Sequence, residues 1–360
     1  MNQITSRQII LIGFLFTLTG TLITVHSQVA LYAKNQLWVS HLAAYGLLMI
    51  PLWALGRVAR RYPDADLFEA LVSRFRTGGK AIGMLYVMFF FCILVRDIRM
   101  TINFINVALL PKTPLEIICG LVVLTAVILA AGGLALLGRM AEIYGPILIV
   151  PAFVLPIVLM RDYDWTQMLP LTQFDWPGIG FGSWMLISYF GEMIAIAFLA
   201  QGRLWTLKNS FRALTIGAAC VLLMGVQTLL VLGLPIMMRV VYPNYELVQQ
   251  IRLTDFLDRF ELFLVGIWMP AMITKIGCNL YLVCHGLRRI VPALDGRRMV
   301  APVGLLVFVC SFWFFENTIQ TVELNRYWPG VSMIFQLVIP LILLVALRPK
   351  PRTVKAENSG

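Results

Sequence analysis

Charge is scarce in this chain. Only 13% of its 360 residues are Asp, Glu, Lys or Arg, about half the share of an ordinary soluble domain. A water-facing surface cannot be built from so little, and a soluble globular or disordered protein is excluded. Chemistry-bearing motifs are scarce too. None of the six cysteines (Cys92, Cys119, Cys220, Cys278, Cys284, Cys310) stands in a CxxC pair, so the chain shows neither a disulfide framework nor a zinc site. The three histidines, His26, His41 and His285, are scattered and read as core or interfacial residues. No HExxH, GxSxG or suitably spaced carboxylate pair occurs, so the reading is of a protein that is not an enzyme and holds no metal or cofactor. The glycine-rich Gly178-Ile179-Gly180-Phe181-Gly182 does not join a strand to a helix, and a dinucleotide site is set aside. The first apolar run lacks a basic leader with a small-residue cleavage site, which favours a retained helix over a signal peptide.

Apolar residues make up 59% of the chain, and the mean hydropathy is +0.83. About 20 apolar residues span a bilayer as a helix. Ten such runs are predicted: 9–33, 39–58, 82–107, 115–136, 143–160, 180–200, 213–235, 262–284, 299–315 and 329–347. The fold class is therefore all-α and polytopic, a single transmembrane domain over 1–360 with a short tail from 348.

The net charge of +11 follows topology rather than nucleic-acid binding. With the N-terminus in the cytoplasm, 19 of the 29 lysines and arginines fall in inner segments and seven in outer ones; Arg96, Arg99 and Lys275 lie within spans. Such a bias puts both termini in the cytoplasm. The nine tryptophans mostly flank the spans and read as interfacial anchors.

Two loops resemble each other. Tyr62-Pro63-Asp64 follows the second span and Tyr242-Pro243-Asn244 the seventh, 180 residues later. Each precedes an amphipathic segment: Leu67, Phe68, Leu71, Val72 and Phe75 share one helical face, while Leu247 and Ile251 lead to Thr254, a plausible N-cap, before Phe256, Leu257 and Phe260. The first loop is inside and the second outside. Five spans per half make the halves, 9–160 and 180–347, inverted copies.

The most informative interruptions are Gly191-Glu192 in the sixth span and Thr17-Leu18-Thr19-Gly20-Thr21 in the first. A charge at mid-depth costs about 2.5–3.5 kcal/mol on insertion scales and faces a cavity or a partner. Gly20, Arg96, Glu192 and Lys275 all lie 11–14 residues into their spans, which brings four helices' special residues to one level near the bilayer midplane. A broken helix offers N–H groups to an anion and carbonyls to a cation. The N–H groups near Thr21 and Leu22 suit a carboxylate; the carbonyls of 188–190, or Glu192, suit an amine. Alternatively Glu192 neutralises Lys275 or Arg96, Arg96-Asp97 is a local ion pair, and Gly20 and Gly191 are packing glycines.

Several strings resemble a known family. Leu109-Leu110-Pro111-Lys112-Thr113-Pro114-Leu115, Glu142-Ile143-Tyr144-Gly145-Pro146-Ile147 and Phe190-Gly191-Glu192 are similar to the B-subunits of spore germination receptors, the GerAB/GerKB family. So is the run from Tyr242-Pro243 through Glu246-Leu247-Val248, Asp255–Glu261, Trp268 and Lys275-Ile276 to Leu280-Tyr281 and Gly286-Leu287. The resemblance covers about residues 4–347. It implies the amino acid–polyamine–organocation superfamily, with a LeuT-like five-plus-five inverted repeat and broken helices 1 and 6. It also implies a nutrient sensor in the spore inner membrane, with a larger A-subunit and a C-subunit lipoprotein as partners and a small germinant, often an amino acid, held between helices 1, 3, 6 and 8. Carried over by position, the ligand residues are Thr19, Gly20, Thr21, Thr101, Tyr189, Gly191, Glu192, Lys275 and Cys278. Arg99 departs from the family's usual basic-acidic pair and is expected to alter which ligand fits. A proton-coupled amino-acid transporter, or a scaffold that binds no ligand, stays open beside the receptor reading.

Overall fold

The computed structural model describes residues 4–170, 172–250, 260–315 and 317–348. Among the described residues there is no strand. The helices are α1 (Ser6–Leu18), α2 (Thr21–Ala33), α3 (Leu37–Arg61), α4 (Leu67–Phe75), α5 (Thr77–Ala108), α6 (Leu115–Ala131), α7 (Gly133–Val158), α8 (Trp176–Phe190), α9 (Ala195–Leu199), α10 (Leu207–Met237), α11 (Pro243–Gln249), α12 (Phe260–Ile290), α13 (Val300–Trp313), α14 (Thr318–Met333) and α15 (Ile339–Ala346). A 3-10 turn at Gly191–Ile194 joins α8 to α9, and a π turn at Ile334–Val338 joins α14 to α15.

Among the described residues, seven helical stretches are long and apolar enough to cross a membrane by length and composition, and Ser6–Leu18, Leu115–Ala131 and Val300–Trp313 are shorter apolar helices. In a bilayer every backbone polar group needs an internal partner, which a helix supplies. Caps close several ends where water is excluded or contested. Thr5 and Gln8 form a reciprocal capping box at α1, while Asp66, Thr206 and Asn317 cap α4, α10 and α14.

Several predicted boundaries need correction. The fifth span starts at Gly133, not 143, because Gly132-Gly133 makes the turn; Gly133 has φ 78°, a left-handed conformation open to glycine. Arg139, assigned to an inner loop, therefore lies within α7. The tenth run starts at Thr318, not 329, because Asn317 accepts from Gln320 N and caps α14 there. Arg326, assigned to an outer loop, is thus helical. The first amphipathic segment forms α4, with Leu67, Phe68 and Leu71 buried. The second begins as α11, burying Leu247, but Ile251, Thr254, Phe256 and Leu257 lie outside the described residues.

The helix pair α8–α9 sits at the centre. Its stretch Trp176–Leu199 is almost wholly buried, whereas Gly133–Val158 leaves most of its apolar surface exposed, as a lipid-facing helix does. α1 packs on α10 and α7, α2 and α3 pack on α8, and α12 packs on α5, α6 and α7. One clamp stands where α4 meets the end of α12. Asp66 accepts from Glu69 N at 2.9 Å, from His285 Nε2 at 2.9 Å and from Arg289 Nε at 3.2 Å. Burial by itself raises the Asp66 carboxyl; the bond and charge of His285, the Glu69 N–H and the Arg289 charge outweigh it and hold the group below its ordinary value.

Candidate functional site

The break between α1 and α2 follows from a threonine ladder. The hydroxyls of Thr17, Thr19 and Thr21 turn back to the carbonyls of Gly13, Leu15 and Thr17 at 3.0, 2.8 and 2.7 Å. Such bonds compete with the helix's own ladder. Thr19 and Gly20 keep right-handed dihedrals, with φ of −64° and −70°, so the chain loses helical bonding here without changing direction. The Thr19 carbonyl accepts instead from the indole Nε1 of Trp268 at 3.1 Å. Gly20 is where another helix comes close: a Cβ there would stand 2.9 Å from Lys275 Nζ and 3.5 Å from the Tyr189 ring. No larger side chain fits without moving that ammonium.

The second break is tighter. α8 ends at Phe190, and Gly191–Ile194 winds as a 3-10 turn before α9. The Ser188 carbonyl accepts from Gln336 Nε2 at 2.9 Å. Gln336 projects from the π turn of the last span, and a Cβ at Gly191 would collide with its amide.

Between the breaks lies a closed ring of four charges. Arg96 and Asp97 come from the middle of α5, Glu192 from the 3-10 turn and Lys275 from α12; all four are fully buried. Arg96 Nη2 donates to Asp97 Oδ1 at 2.6 Å and also to Glu192 Oε1. Lys275 Nζ pairs with Asp97 Oδ2 at 2.9 Å and with Glu192 Oε2 at 2.6 Å. Each cation touches both anions, and the ring sums to zero charge. Taking a lone ion out of water costs several kcal/mol even after relaxation, so such groups persist in a dry interior only when paired with opposite charge. Aromatic faces complete the shell. The Arg96 guanidinium lies 4.5 Å over the Tyr189 ring and 5.4 Å over Trp328, and Tyr189 donates its hydroxyl to Asn325 Oδ1 at 2.6 Å. Three buried donors beside this shell have no hydrogen-bond partner among the described residues: Arg96 Nη1, Asn325 Nδ2 and Trp328 Nε1. An unmet buried donor costs about 1–3 kcal/mol, so each of the three is open to an acceptor.

Of the residues singled out in the sequence, Gly20, Tyr189, Gly191, Glu192 and Lys275 converge here. Thr19 contributes its carbonyl, whereas its hydroxyl and that of Thr21 are spent within α1 and α2. Thr101 donates to the Asp97 backbone carbonyl at 2.7 Å, a bond within α5 that touches none of the ring's charged groups. Cys278 is buried a turn beyond Lys275 and takes no part in the ring. The Arg96-Asp97 pair is more than local, since it closes the ring across three elements. Asn325, Trp328 and Gln336 were not singled out. Trp328 read as a membrane anchor, Asn325 fell before the predicted start of the tenth span, and Gln336 is a neutral amide with no motif around it.

A cavity of about 100 Å³ lies beside the first break, with Leu18 and Leu22 on its wall. Phe104 and Trp268 line its side toward the ring, their own rings meeting edge to face at 5.3 Å. Both stand seven residues from a ring member on their helices, Phe104 from Asp97 and Trp268 from Lys275, about 10 Å along the axis. The rest of its lining is mostly apolar, with Asn244 and Glu261 among the polar members.

Comparison with known proteins agrees with this architecture. The chain is 30% identical over 353 residues to the putative spore germination protein YfkT of Bacillus subtilis (strain 168), covering 97% of this chain and 98% of that one. It is 21% identical over 367 residues to spore germination protein KB of the same organism, covering 99% and 98%. Among solved structures it superposes on the nucleobase-cation-symport-1 family transporter Mhp1, closed with bromovinylhydantoin bound, with a TM-score of 0.69 at 14% identity over 97% of this chain and 82% of that one. On MhsT in complex with L-phenylalanine the TM-score is 0.59 at 13% identity, over 96% and 99%. The fold is that of LeuT-type transporters, and the protein is an integral membrane protein of a receptor and transporter fold rather than an enzyme fold. The sequence profile described as spore germination protein matches residues 3–319, and the chain belongs to that family, the spore permeases.

Proposed function

We propose that this chain is the ligand-sensing B-type subunit of a spore germination receptor, and that its ligand is a small zwitterion, an amino acid being the class that fits best. The observation that carries this reading is the neutral ring of Arg96, Asp97, Glu192 and Lys275 tying both helix breaks to α5 and α12, with three unmatched donors beside it. The ligand enters through the cavity at Leu18 and Leu22 and passes Phe104 and Trp268. Its carboxylate takes the donors of Arg96, Asn325 and Trp328, while its ammonium competes with Lys275 for Glu192. Thr19, Gly20, Thr21, Thr101, Gly191 and Cys278 shape this seat rather than grip it. A guest that exchanges partners inside a neutral ring leaves the total charge at zero, which keeps the desolvation cost low.

The two halves, 9–160 and 180–347, act as inverted repeats, with both termini and the tail 348–360 in the cytoplasm. Re-pairing Lys275 and Glu192 shifts α1–α2 and α8–α9 against the scaffold, since a ligand moves an equilibrium only by its preference for one state. Partner A- and C-subunits read that shift in the spore inner membrane. The transporter fold favours a second reading, a proton-coupled amino-acid transporter.

The test is a strain lacking the gene, complemented with wild type or with Glu192→Ala and screened against single amino acids. A response restored by wild type and absent in the variant, with both at equal abundance in the membrane, supports the receptor. Saturable, pH-gradient-driven uptake into vesicles holding this chain alone would favour the transporter instead.

A further inference from the structure

The start of α10 and the end of α3 meet at a groove that the ligand seat does not use. Its open volume is about 530 Å³, and its lining includes Arg60 from α3 with Lys208 and Arg212 from α10. All three side chains are exposed, no acidic residue lines the groove, and none of the three makes an ion pair or hydrogen bond among the described residues. Lys208 and Arg212 are four residues apart and share one helical face. The rest of the wall is Leu207, Phe211 and Ile216, with Thr215 as its uncharged polar member.

The two helices are held close to each other beside the groove. Leu207 sits against Gly56, where a Cβ would stand 3.2 Å from the leucine side chain, and Tyr45 of α3 bonds the Thr215 hydroxyl at 2.9 Å. Membrane depth is marked on α3. Arg57 lies 4.6 Å over Trp53, on the same face as Arg60 by the i, i+4, i+7 spacing, and a tryptophan–arginine stack is at home at headgroup level. The basic mouth thus sits among headgroups, and the apolar wall of Phe211 and Ile216 runs from it toward the hydrocarbon.

We propose that this groove is a binding site for an anionic phospholipid, with its phosphate held by Arg60, Lys208 and Arg212 and an acyl chain laid along Phe211 and Ile216. Both halves of the groove need an occupant with a negative head and an apolar body. Inorganic phosphate matches only the mouth and an acidic peptide lacks the chain for the wall. Basic pockets between membrane helices recognise lipid phosphates in this way, with roughly a fivefold gain in affinity for each cation at the surface.

The test is native mass spectrometry of the full chain in detergent, titrated with phosphatidylglycerol and with phosphatidylcholine of the same acyl chains. Phosphatidylglycerol is expected to bind at least about tenfold tighter. The variant Arg60→Gln/Lys208→Gln/Arg212→Gln brings the two lipids within about twofold, whereas Arg139→Gln, a basic residue of α7 outside the groove, keeps the preference. Unchanged phosphatidylcholine binding in the triple variant shows that it is folded, and the single variant Lys208→Gln gives a partial loss should the triple fail to express. Equal binding of the two lipids by wild type, or an undiminished preference in the triple variant, overturns the proposal. So does competition by glycerol phosphate at lipid-like concentrations, which would reduce the site to a phosphate mouth.

Discussion

Glu192→Gln removes one charge from the buried ring while keeping the side chain's volume. Glu192 faces Arg96 on one oxygen and Lys275 at 2.6 Å on the other, with no solvent at either. The variant leaves two cations facing Asp97 alone, a net positive charge in a dry interior. Stripping one partner from a buried pair costs about 3–5 kcal/mol. Lys275→Gln makes the opposite error and leaves two carboxylates on Arg96, at a similar cost. Joined in one chain, the two substitutions restore neutrality, and Arg96 keeps its 2.6 Å bond to Asp97. The double variant is therefore expected to be less destabilised than the sum of the singles, by about 1 kcal/mol or more. Chemical unfolding in detergent, followed by tryptophan fluorescence, measures all three. Stability recovers in the double variant, but the nutrient response does not, because the ammonium seat is gone. Single effects that add to within about 0.5 kcal/mol would refute the ring as a coupled unit.

Other consequences are tested singly. Gly20→Ala sets a methyl 2.9 Å from Lys275 Nζ, so the ammonium shifts and the germinant dose–response moves to higher concentration; an unchanged curve would reduce Gly20 to a packing residue. Trp268→Phe deletes the donor to the Thr19 carbonyl, at about 1 kcal/mol in unfolding experiments, and should change how fast the response starts more than its final extent. Asn244→Ala loses bonds to the Leu22 carbonyl at 2.7 Å, His26 Nδ1 at 2.8 Å and the Thr228 hydroxyl at 3.0 Å; melting in detergent should show a loss of about 1–3 kcal/mol. Asp66 has its carboxyl held low in the fold, so its stabilising contribution is fully present above the ordinary carboxylate value of about 3.9 and disappears as pH falls through the lower folded value. Asp66→Asn should flatten the acid limb of a stability–pH profile, and an identical limb in both proteins would show that the clamp is idle.

The fold was legible because lipid imposes a simple grammar. Long apolar runs, the bias of basic residues and the rarity of charge left no architecture but a helical bundle in a membrane. Gly20, Glu192 and Lys275 were legible for the same reason, since a charge or a glycine break at mid-depth stands out against an apolar background. Helix ends were harder. Hydropathy alone moved the start of α7 by ten residues from Gly133, where backbone conformation rather than side-chain character makes the turn. The extension of α14 to Thr318 passes through polar residues that an apolar window discards. Pairing of Glu192 with Lys275 or Arg96 was open from the sequence as alternatives, and the structure has both; that Asp97 also reaches Lys275 and closes the ring depends on three-dimensional packing. Gln336 illustrates the limit most clearly. A neutral amide in an apolar run reads as filler, and only the π turn that aims it at the Ser188 carbonyl gives it a role.

Equilibrium binding of labelled amino acids to the purified chain alone, without partner subunits, tests the central claim most directly. The account predicts saturable binding of at least one amino acid at a single site, lost in Glu192→Gln and in Arg96→Gln while both variants remain folded. Binding that survives both substitutions unchanged would contradict it, as would the absence of binding by wild-type protein to the amino acid that triggers germination through this gene.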